Sequence, residues 1–342
     1  MKTVVFRADG NKTIGTGHVM RCLALAFAFS TSGYHVTFAM SDDSLQKKIR
    51  KYGFDFINVD SRFDDYSVHS VPFFNYIKTA TPSIVVVDNY SVKVDYLLQI
   101  RQLTKVLYIS EDYDPTMVNA VDYFLNYNIY MNCVIPIQSD GIQLLGTQFT
   151  LLRDEFAKPL RDSTPEHKTI TVFTGGSDFF NIAPGLVQQL AEEDRLHEYH
   201  IIVVSGPLNP NIPKLMSLAN SCSKISIVID PTSISDVMDN TSIAISSGGS
   251  ILYELCSRGI PTISFSLASN QENIVLEFNK LGLIPYAGNM IANKDKAIKN
   301  CVNLAVKVNS SPSHCAVISQ RMVDICNKHG TELVVKIISK SL

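Results

Sequence analysis

The sequence predicts an α/β chain of two parallel-sheet domains. Three observations carry that expectation. Apolar, β-branched runs of strand length alternate with helix-length segments through the first half of the chain. The alternation stops at a polar stretch, 154–168 (DEFAKPLRDSTPEHK), which holds two prolines and charges of both signs, and then restarts. Each half also has a glycine-bearing turn directly after its first strand. The expected organisation is an N-terminal domain over 1–155, a second over 168–311, and terminal helices over 312–342 that are free to pack back on the first.

Each element has its own signal. The run 3–6 (TVVF) is the first strand, and 22–29 (CLALAFAF) is a buried helix that ends near Gly33. A strand at 36–40 leads into Ser41-Asp42-Asp43, which offers an N-cap for a helix through Tyr52. A third strand follows at 54–59. The run 84–88 (IVVVD) is almost purely β-branched and ends in a carboxylate, as buried parallel strands do; a helix at 92–103 and a strand at 106–110 come next. Past the linker come a strand at 170–173, a turn at 174–178, a helix from about Asn181, and strands at 200–205, 225–229, 243–246 and 261–265. The stretches 77–82 and beyond Pro285 carry little periodic signal until the helical patterns from Pro312 onward.

Composition bounds the function classes. A chain of 342 residues with 46% hydrophobic and 18% charged side chains has material for two full cores. A formal net charge of −2 gives no general attraction to nucleic acid or to an anionic membrane. Seven cysteines, an odd number without a C-x-x-C pair, read as small buried hydrophobes in a reducing compartment, not as disulfides or a zinc site. No apolar run of about 18 residues is available to span a bilayer, and the N-terminus has no signal-peptide pattern. The expected location is the cytosol, where the Asn11-Lys12-Thr13 sequon has no consequence.

The first turn, 7–21 (RADGNKTIGTGHVMR), holds the densest chemistry. Gly15, Thr16 and Gly17 join strand to helix without bulk, so backbone N–H groups and the positive end of the helix dipole are expected to face an anion there. His18 stands at or within one residue of the helix start. That position disfavours imidazolium and leaves a ring nitrogen to accept a proton, so a neutral imidazole beside a bound pyrophosphate would deprotonate water. The plainer role for His18 is to cap the helix or bond a phosphate oxygen. Arg21, one turn on, suits pyrophosphate or a structural role. Asp9 suits orienting His18, bonding a sugar hydroxyl, or forming a turn. Because ligands of parallel sheets gather at the carboxyl ends of strands, the turn Asp88-Asn89-Tyr90 that ends the fourth strand shares this rim, with Tyr90 suited to stack on or hydrogen-bond a sugar.

Two further turns belong to the second half. Gly176, Ser177 and Asp178 follow its first strand; Asp178 either reaches a ligand or caps the next helix. Gly248 and Gly249 clear the approach to a second turn, where Ser250 is placed to cap a helix and Glu254 stands one turn further in. A carboxylate there suits the paired hydroxyls of a ribose, or simply complements the helix dipole. Gln271 and Asn273 open another helix with uncharged amides that suit sugar hydroxyls and acetamido groups.

The stretch SSGGSILYELCSRGIPTISF followed by NQEN resembles the donor-binding half of GT-B nucleotide-sugar enzymes related to the peptidoglycan N-acetylglucosaminyltransferase. With RADGNKTIGTGHVMRCLALA, VVVDNY, LLGTQFTLLRDEF and TGGSD, the chain is similar to the UDP-2,4-diacetamido-2,4,6-trideoxy-β-L-altropyranose hydrolases of pseudaminic acid biosynthesis, from residue 7 to about 273. The resemblance implies a GT-B fold, in which two Rossmann-like domains face a central cleft. It also implies a UDP-sugar substrate and hydrolysis at the anomeric carbon with inversion, without a metal or other cofactor. It puts the catalytic base on His18, the ribose carboxylate on Glu254, phosphate contacts on Gly249 and Ser250, and the polar end of the donor site on Gln271 and Asn273. Where the family has two consecutive aspartates after the fifth strand, this chain has Ser110-Glu111-Asp112. A glycosyltransferase on the same fold and a non-catalytic nucleotide-sugar-binding protein are the alternatives. Oligomeric state is not written in the sequence.

Overall fold

The computed structural model describes residues 2–11, 15–158, 160, 167–207 and 209–342. Lys12 and Thr13 of the sequon, and much of the polar stretch expected to link the domains, lie outside the described residues. The chain divides into two compact units, Met1–Asp154 with Lys328–Leu342, and Glu155–Asn327.

In the first unit the elements run β1 (Thr3–Ala8), α1 (Gly17–Thr31), β2 (His35–Met40), α2 (Gln46–Lys51), β3 (Asp55–Asn58), α3 (Val71–Ala80), β4 (Ile84–Asp88), α4 (Val94–Arg101), β5 (Lys105–Ile109), α5 (Pro115–Asn119), β6 (Tyr123–Asn126) and β7 (Ile142–Leu145). The sheet is parallel, ordered β3-β2-β1-β4-β5-β6-β7. Order therefore reverses between β1 and β4, and Ala8 pairs with Asp88 at the carboxyl end of that junction. Alternation along each strand feeds two apolar layers. Val5, Val85, Val87 and Val106 pack with Phe73, Tyr96, Leu97 and Ile100 on one side. On the other, Phe6 stacks on Phe38 at 5.0 Å between ring centroids and meets Phe29 edge-on. Each such fully buried aromatic contributes roughly 1.5–3 kcal/mol of burial free energy.

The second unit runs β8 (Thr169–Phe173), α6 (Ala183–Glu192), β9 (His200–Ser205), α7 (Ile212–Ser221), β10 (Ile225–Ile229), α8 (Ile234–Asp239), β11 (Ile243–Ser247), α9 (Ile251–Ser257), β12 (Thr262–Ser266), α10 (Ser269–Lys280), β13 (Tyr286–Asn289), α11 (Lys294–Asn309) and α12 (Pro312–Ile325). Its parallel sheet is ordered β10-β9-β8-β11-β12-β13, so order reverses between β8 and β11. Ile170, Val172, Ile243 and Ile245 meet Leu186, Val187 and Ile298 in its core.

The terminal helices divide between the units: α12 packs on α9, whereas α13 (Gly330–Ser339) packs on α1. Gly330 lies so close to Thr150 that a Cβ would stand 2.5 Å from its carbonyl oxygen. Val334, Val335 and Ile338 are buried, and Thr331 Oγ1 donates to the Leu152 carbonyl. No helix among the described residues is long and apolar enough to cross a membrane.

Candidate active site

In the first unit the crevice at the β1/β4 junction gathers most of the chemistry that the sequence singles out, as expected where strand order reverses in an open sheet. The turn after β1 closes on itself: Gly15 and Asn11 exchange backbone hydrogen bonds, with Gly15 at φ +74°. The Gly15 N–H is thus spent inside the turn and is not aimed at an anion, contrary to the sequence expectation. Thr16 is the N-cap of α1 without a side-chain cap bond, and Gly17 is its first residue. His18 is the second residue of α1 and is buried.

His18 Nδ1 lies 2.6 Å from Asp88 Oδ1. A carboxylate only accepts, so Nδ1 carries the proton and Nε2 is the open acceptor. Asp88 is fully buried and also takes Arg21 in a fork, Nε to Oδ2 and Nη2 to Oδ1, both at 2.6 Å. Burial alone would raise the Asp88 carboxyl, but the Arg21 guanidinium and then His18 hold it well below the ordinary carboxylate range. Arg21 Nη1 donates to Glu111 Oε1 at 3.0 Å, and Tyr90 OH donates to the same oxygen at 2.9 Å. The Tyr90 ring meets His18 edge-on, 4.3 Å between centroids, and remains more than half exposed at 56%.

Several expected roles change. Arg21 joins Asp88 and Glu111 in a buried ion-pair network, as its structural alternative has it. Asp9 does not orient His18: its carboxylate accepts from Arg7 Nη1, from Ser41 N and from Ser41 Oγ. Ser41 is thereby drawn to Asp9, and α2 starts later, at Gln46. The Asn89 amide ties its own loop, donating to the Phe63 carbonyl at 2.7 Å and accepting from Ser91 N at 2.6 Å.

In the second unit the expected residues sit on the loops that leave β8 and β11 and on the helices α9 and α10. Gly176 is exposed and Ser177 half-buried. Asp178, at φ +39°, caps α6 by accepting from Ile182 N and Ala183 N. The Gly176 backbone is approached so closely by Gly206 that a Cβ on Gly206 would meet its oxygen at 2.4 Å. Gly248 is equally constrained, because a Cβ there would stand 2.3 Å from Val275 Cγ1, whereas one on Gly249 meets nothing described within 4 Å. Ser250 occupies the N-cap of α9 without a side-chain cap bond, and Glu254 is half-buried in the first turn. Gln271 Oε1 accepts from Leu267 N at 2.9 Å, and Asn273 is exposed on α10. Among the described residues, no three His, Cys, Asp or Glu side chains converge as a metal ion would need.

Comparison with known proteins bears on this geometry. No family model matches the chain. Over 269 residues it is 26% identical to an uncharacterized protein of Methanocaldococcus jannaschii, covering 75% of this chain but only 54% of that protein's length. Over 291 residues it is 24% identical to the UDP-2,4-diacetamido-2,4,6-trideoxy-β-L-altropyranose hydrolase of Campylobacter jejuni, covering 82% of this chain and 97% of the other. Among solved structures it is similar to Acinetobacter baumannii MurG, with TM-score 0.67 and 14% identity over 99% of this chain and 100% of that one. It is also similar to the spinosyn rhamnosyltransferase SpnG complexed with thymidine diphosphate, with TM-score 0.70 and 13% identity over 98% and 100% of the two chains. The fold is GT-B.

The sequence puts Asp88 on the same rim as the Gly15–His18 turn but does not pair it with His18 or Arg21, and Glu111 stands out only as a departure from an expected aspartate pair. Tyr127, buried beyond β6 and close to Arg21, has no signal in the sequence at all; burial pushes its phenol up to about 12.

Proposed function

We propose that the chain hydrolyses a UDP-linked 2,4-diacetamido-2,4,6-trideoxy sugar at its anomeric carbon, releasing UDP and the free sugar for nonulosonic (pseudaminic) acid synthesis. The observation that carries this reading is the 2.6 Å contact between His18 Nδ1 and the buried Asp88 carboxylate, which leaves Nε2 as a proton acceptor. The printed name of the C. jejuni relative supports the substrate class.

In the proposed reaction, Nε2 orients a water molecule and takes its proton as the water oxygen bonds to the anomeric carbon from the face opposite UDP. The bond from that carbon to the phosphate oxygen breaks, its electron pair leaves with UDP, and configuration inverts. UDP is a good leaving group and needs no general acid, so one base meets the chemical demand, worth about 10²–10⁴-fold. Asp88 holds the tautomer and the ring plane, as a carboxylate does for a catalytic imidazole. Glu254 accepts the ribose hydroxyls, Gly248, Gly249 and Ser250 with Gly176 and Ser177 take the diphosphate, and Gln271 and Asn273 meet the polar end of the donor. Tyr90, exposed and adjacent to His18, is the proposed sugar contact of the first unit. The proposed location is the cytosol.

One observation favours a second reading. MurG and a rhamnosyltransferase share the fold, and an open imidazole nitrogen would activate an acceptor hydroxyl as readily as water. Time-resolved NMR of the UDP-sugar with enzyme and no acceptor separates the two. Prompt appearance of free sugar with inverted anomeric configuration is expected. Intact UDP-sugar that turns over only when an acceptor is added would establish transfer, and tight UDP binding with no turnover of any candidate sugar would establish a silent binder.

A further inference from the structure

The Asp88 carboxylate serves two partners at once. Its Oδ1 receives both His18 Nδ1 and Arg21 Nη2, each at 2.6 Å, and its Oδ2 receives Arg21 Nε at 2.6 Å with Cys22 Sγ at 3.5 Å. The same Nη2 stands 3.2 Å from His18 Nδ1. With Nδ1 protonated toward Asp88, that approach is no hydrogen bond; it is a fixed positive charge held against the imidazole.

We propose that Arg21 is a positioning residue, whose forked guanidinium pins the Asp88 carboxylate that aims the His18 ring and stands as a fixed positive charge against that ring. Among the described residues, the charged or titratable groups facing the His18–Arg21 pair are Asp88 from β4, Tyr90 beyond it, Glu111 after β5, Tyr127 after β6, and Cys22 from α1. The two carboxylates favour an imidazolium. Tyr127 and Cys22 stay neutral because burial raises both, and Tyr90 does so because desolvation of its inner face and the Glu111 carboxylate raise its phenol. Arg21 alone among them opposes the charge, and its side-on fork also fixes the Asp88 oxygen that aims the ring. A lysine would supply the charge without the fork.

The inference rests on His18 as the base of the proposed reaction, but its test does not need turnover. The His18 ring is followed in a proton–carbon NMR spectrum of the full chain with labelled histidine, its signal identified by its loss in His18→Gln. Arg21→Gln still donates to Asp88 without a charge, and its His18 titration midpoint is expected to lie above that of the wild type. Arg21→Lys restores a charge and is expected to return the midpoint toward the wild-type value. Glu111→Gln, with Arg21 in place, is expected to lower it. An unmoved or lowered midpoint in Arg21→Gln overturns the proposal; if that variant does not fold, an unmoved midpoint in Glu111→Gln does so. The acid limb of UDP release against pH is expected to move with the midpoint. A midpoint that moves as stated, with no UDP released from the candidate sugar by the wild type, removes the functional reading and leaves the role of Arg21 standing.

Discussion

His18 Nδ1 and Asp88 Oδ1 stand 2.6 Å apart although 70 residues separate them in the chain. The contact exists because β1 and β4 are neighbours at the point where strand order reverses, with Ala8 beside Asp88 in register. Asp88 comes from the last position of a strand and His18 from the first turn of the helix that follows its neighbour. Two rigid elements therefore hold the pair, which is the condition for a pre-oriented base.

Replacing His18 by Asn keeps a polar side chain of similar reach but removes the basic nitrogen. Turnover of the UDP-sugar is expected to fall about 10²–10⁴-fold. UDP affinity, measured by calorimetry, is expected to stay within about twofold of wild type, because the nucleotide contacts assigned above are on other residues. Hydrolysis near the wild-type rate would remove His18 from the role of base.

Asp88→Asn strikes both partners of the carboxylate. The Arg21 charge is left buried with Glu111 as its remaining carboxylate partner, so unfolding by urea is expected to report a loss of about 3–5 kcal/mol. The rate of UDP release is expected to fall at least about 10²-fold, because the His18 tautomer is no longer dictated. A variant as active and as stable as wild type would contradict both assignments.

Acid should erase the stability difference between those two proteins. The folded Asp88 carboxyl sits well below its unfolded value near 3.9, so its contribution is complete above that value and is lost as pH falls toward the folded one. Urea midpoints taken from pH 6 downward are therefore expected to converge for wild type and Asp88→Asn only below about pH 4. A constant gap down to the acid limit would place the source of the difference elsewhere.

If Glu254 accepts both ribose hydroxyls, UDP should bind more tightly than its 2′-deoxy counterpart by about tenfold, the worth of one hydrogen bond to a charged acceptor. Glu254→Gln is expected to lower UDP affinity and to flatten that preference. Calorimetric titration of both nucleotides checks it, and an unchanged preference in the variant would exclude the ribose contact.

Gly248 and Gly249 offer an internal control. A methyl at Gly248 meets Val275 and Gln271 of α10, whereas one at Gly249 meets nothing described within 4 Å. Gly248→Ala is expected to lower stability by about 1–3 kcal/mol through overpacking. Gly249→Ala should stay close to wild type in thermal unfolding. Equal melting temperatures for the two variants would contradict the packing described.

Sequence and structure agree best where one physical signal dominates. The β-branched run 84–88 is a strand over the same residues, as are 200–205 and 225–229. Tyr123–Asn126 and Ile142–Leu145 escaped because four-residue strands flanked by polar loops have no period to read. α3 (VPFFNYIKTA) escaped because its aromatic and β-branched residues do not favour a helix; burial of Phe73 and Ile77 overrides that preference. Within the candidate site, His18 and Arg21 were legible from the glycines beside them. Asp88 was legible as a residue of the same rim but not as their partner, since a pairing across adjacent parallel strands is fixed by sheet order and not by spacing in the chain. Asp9 shows the converse: near His18 in sequence, it accepts instead from Arg7 and Ser41.

The division of the chain at Lys328 fixes an order of events during synthesis. Helix α13 covers α1 and seats Gly330 against Thr150, yet it emerges from the ribosome after all of Glu155–Asn327. The helix that carries His18 and the sheet that carries Asp88 are translated early and must keep one apolar flank uncovered while about half of the chain is still being made. Until α13 arrives, α1 lacks the packing partner that later closes this flank.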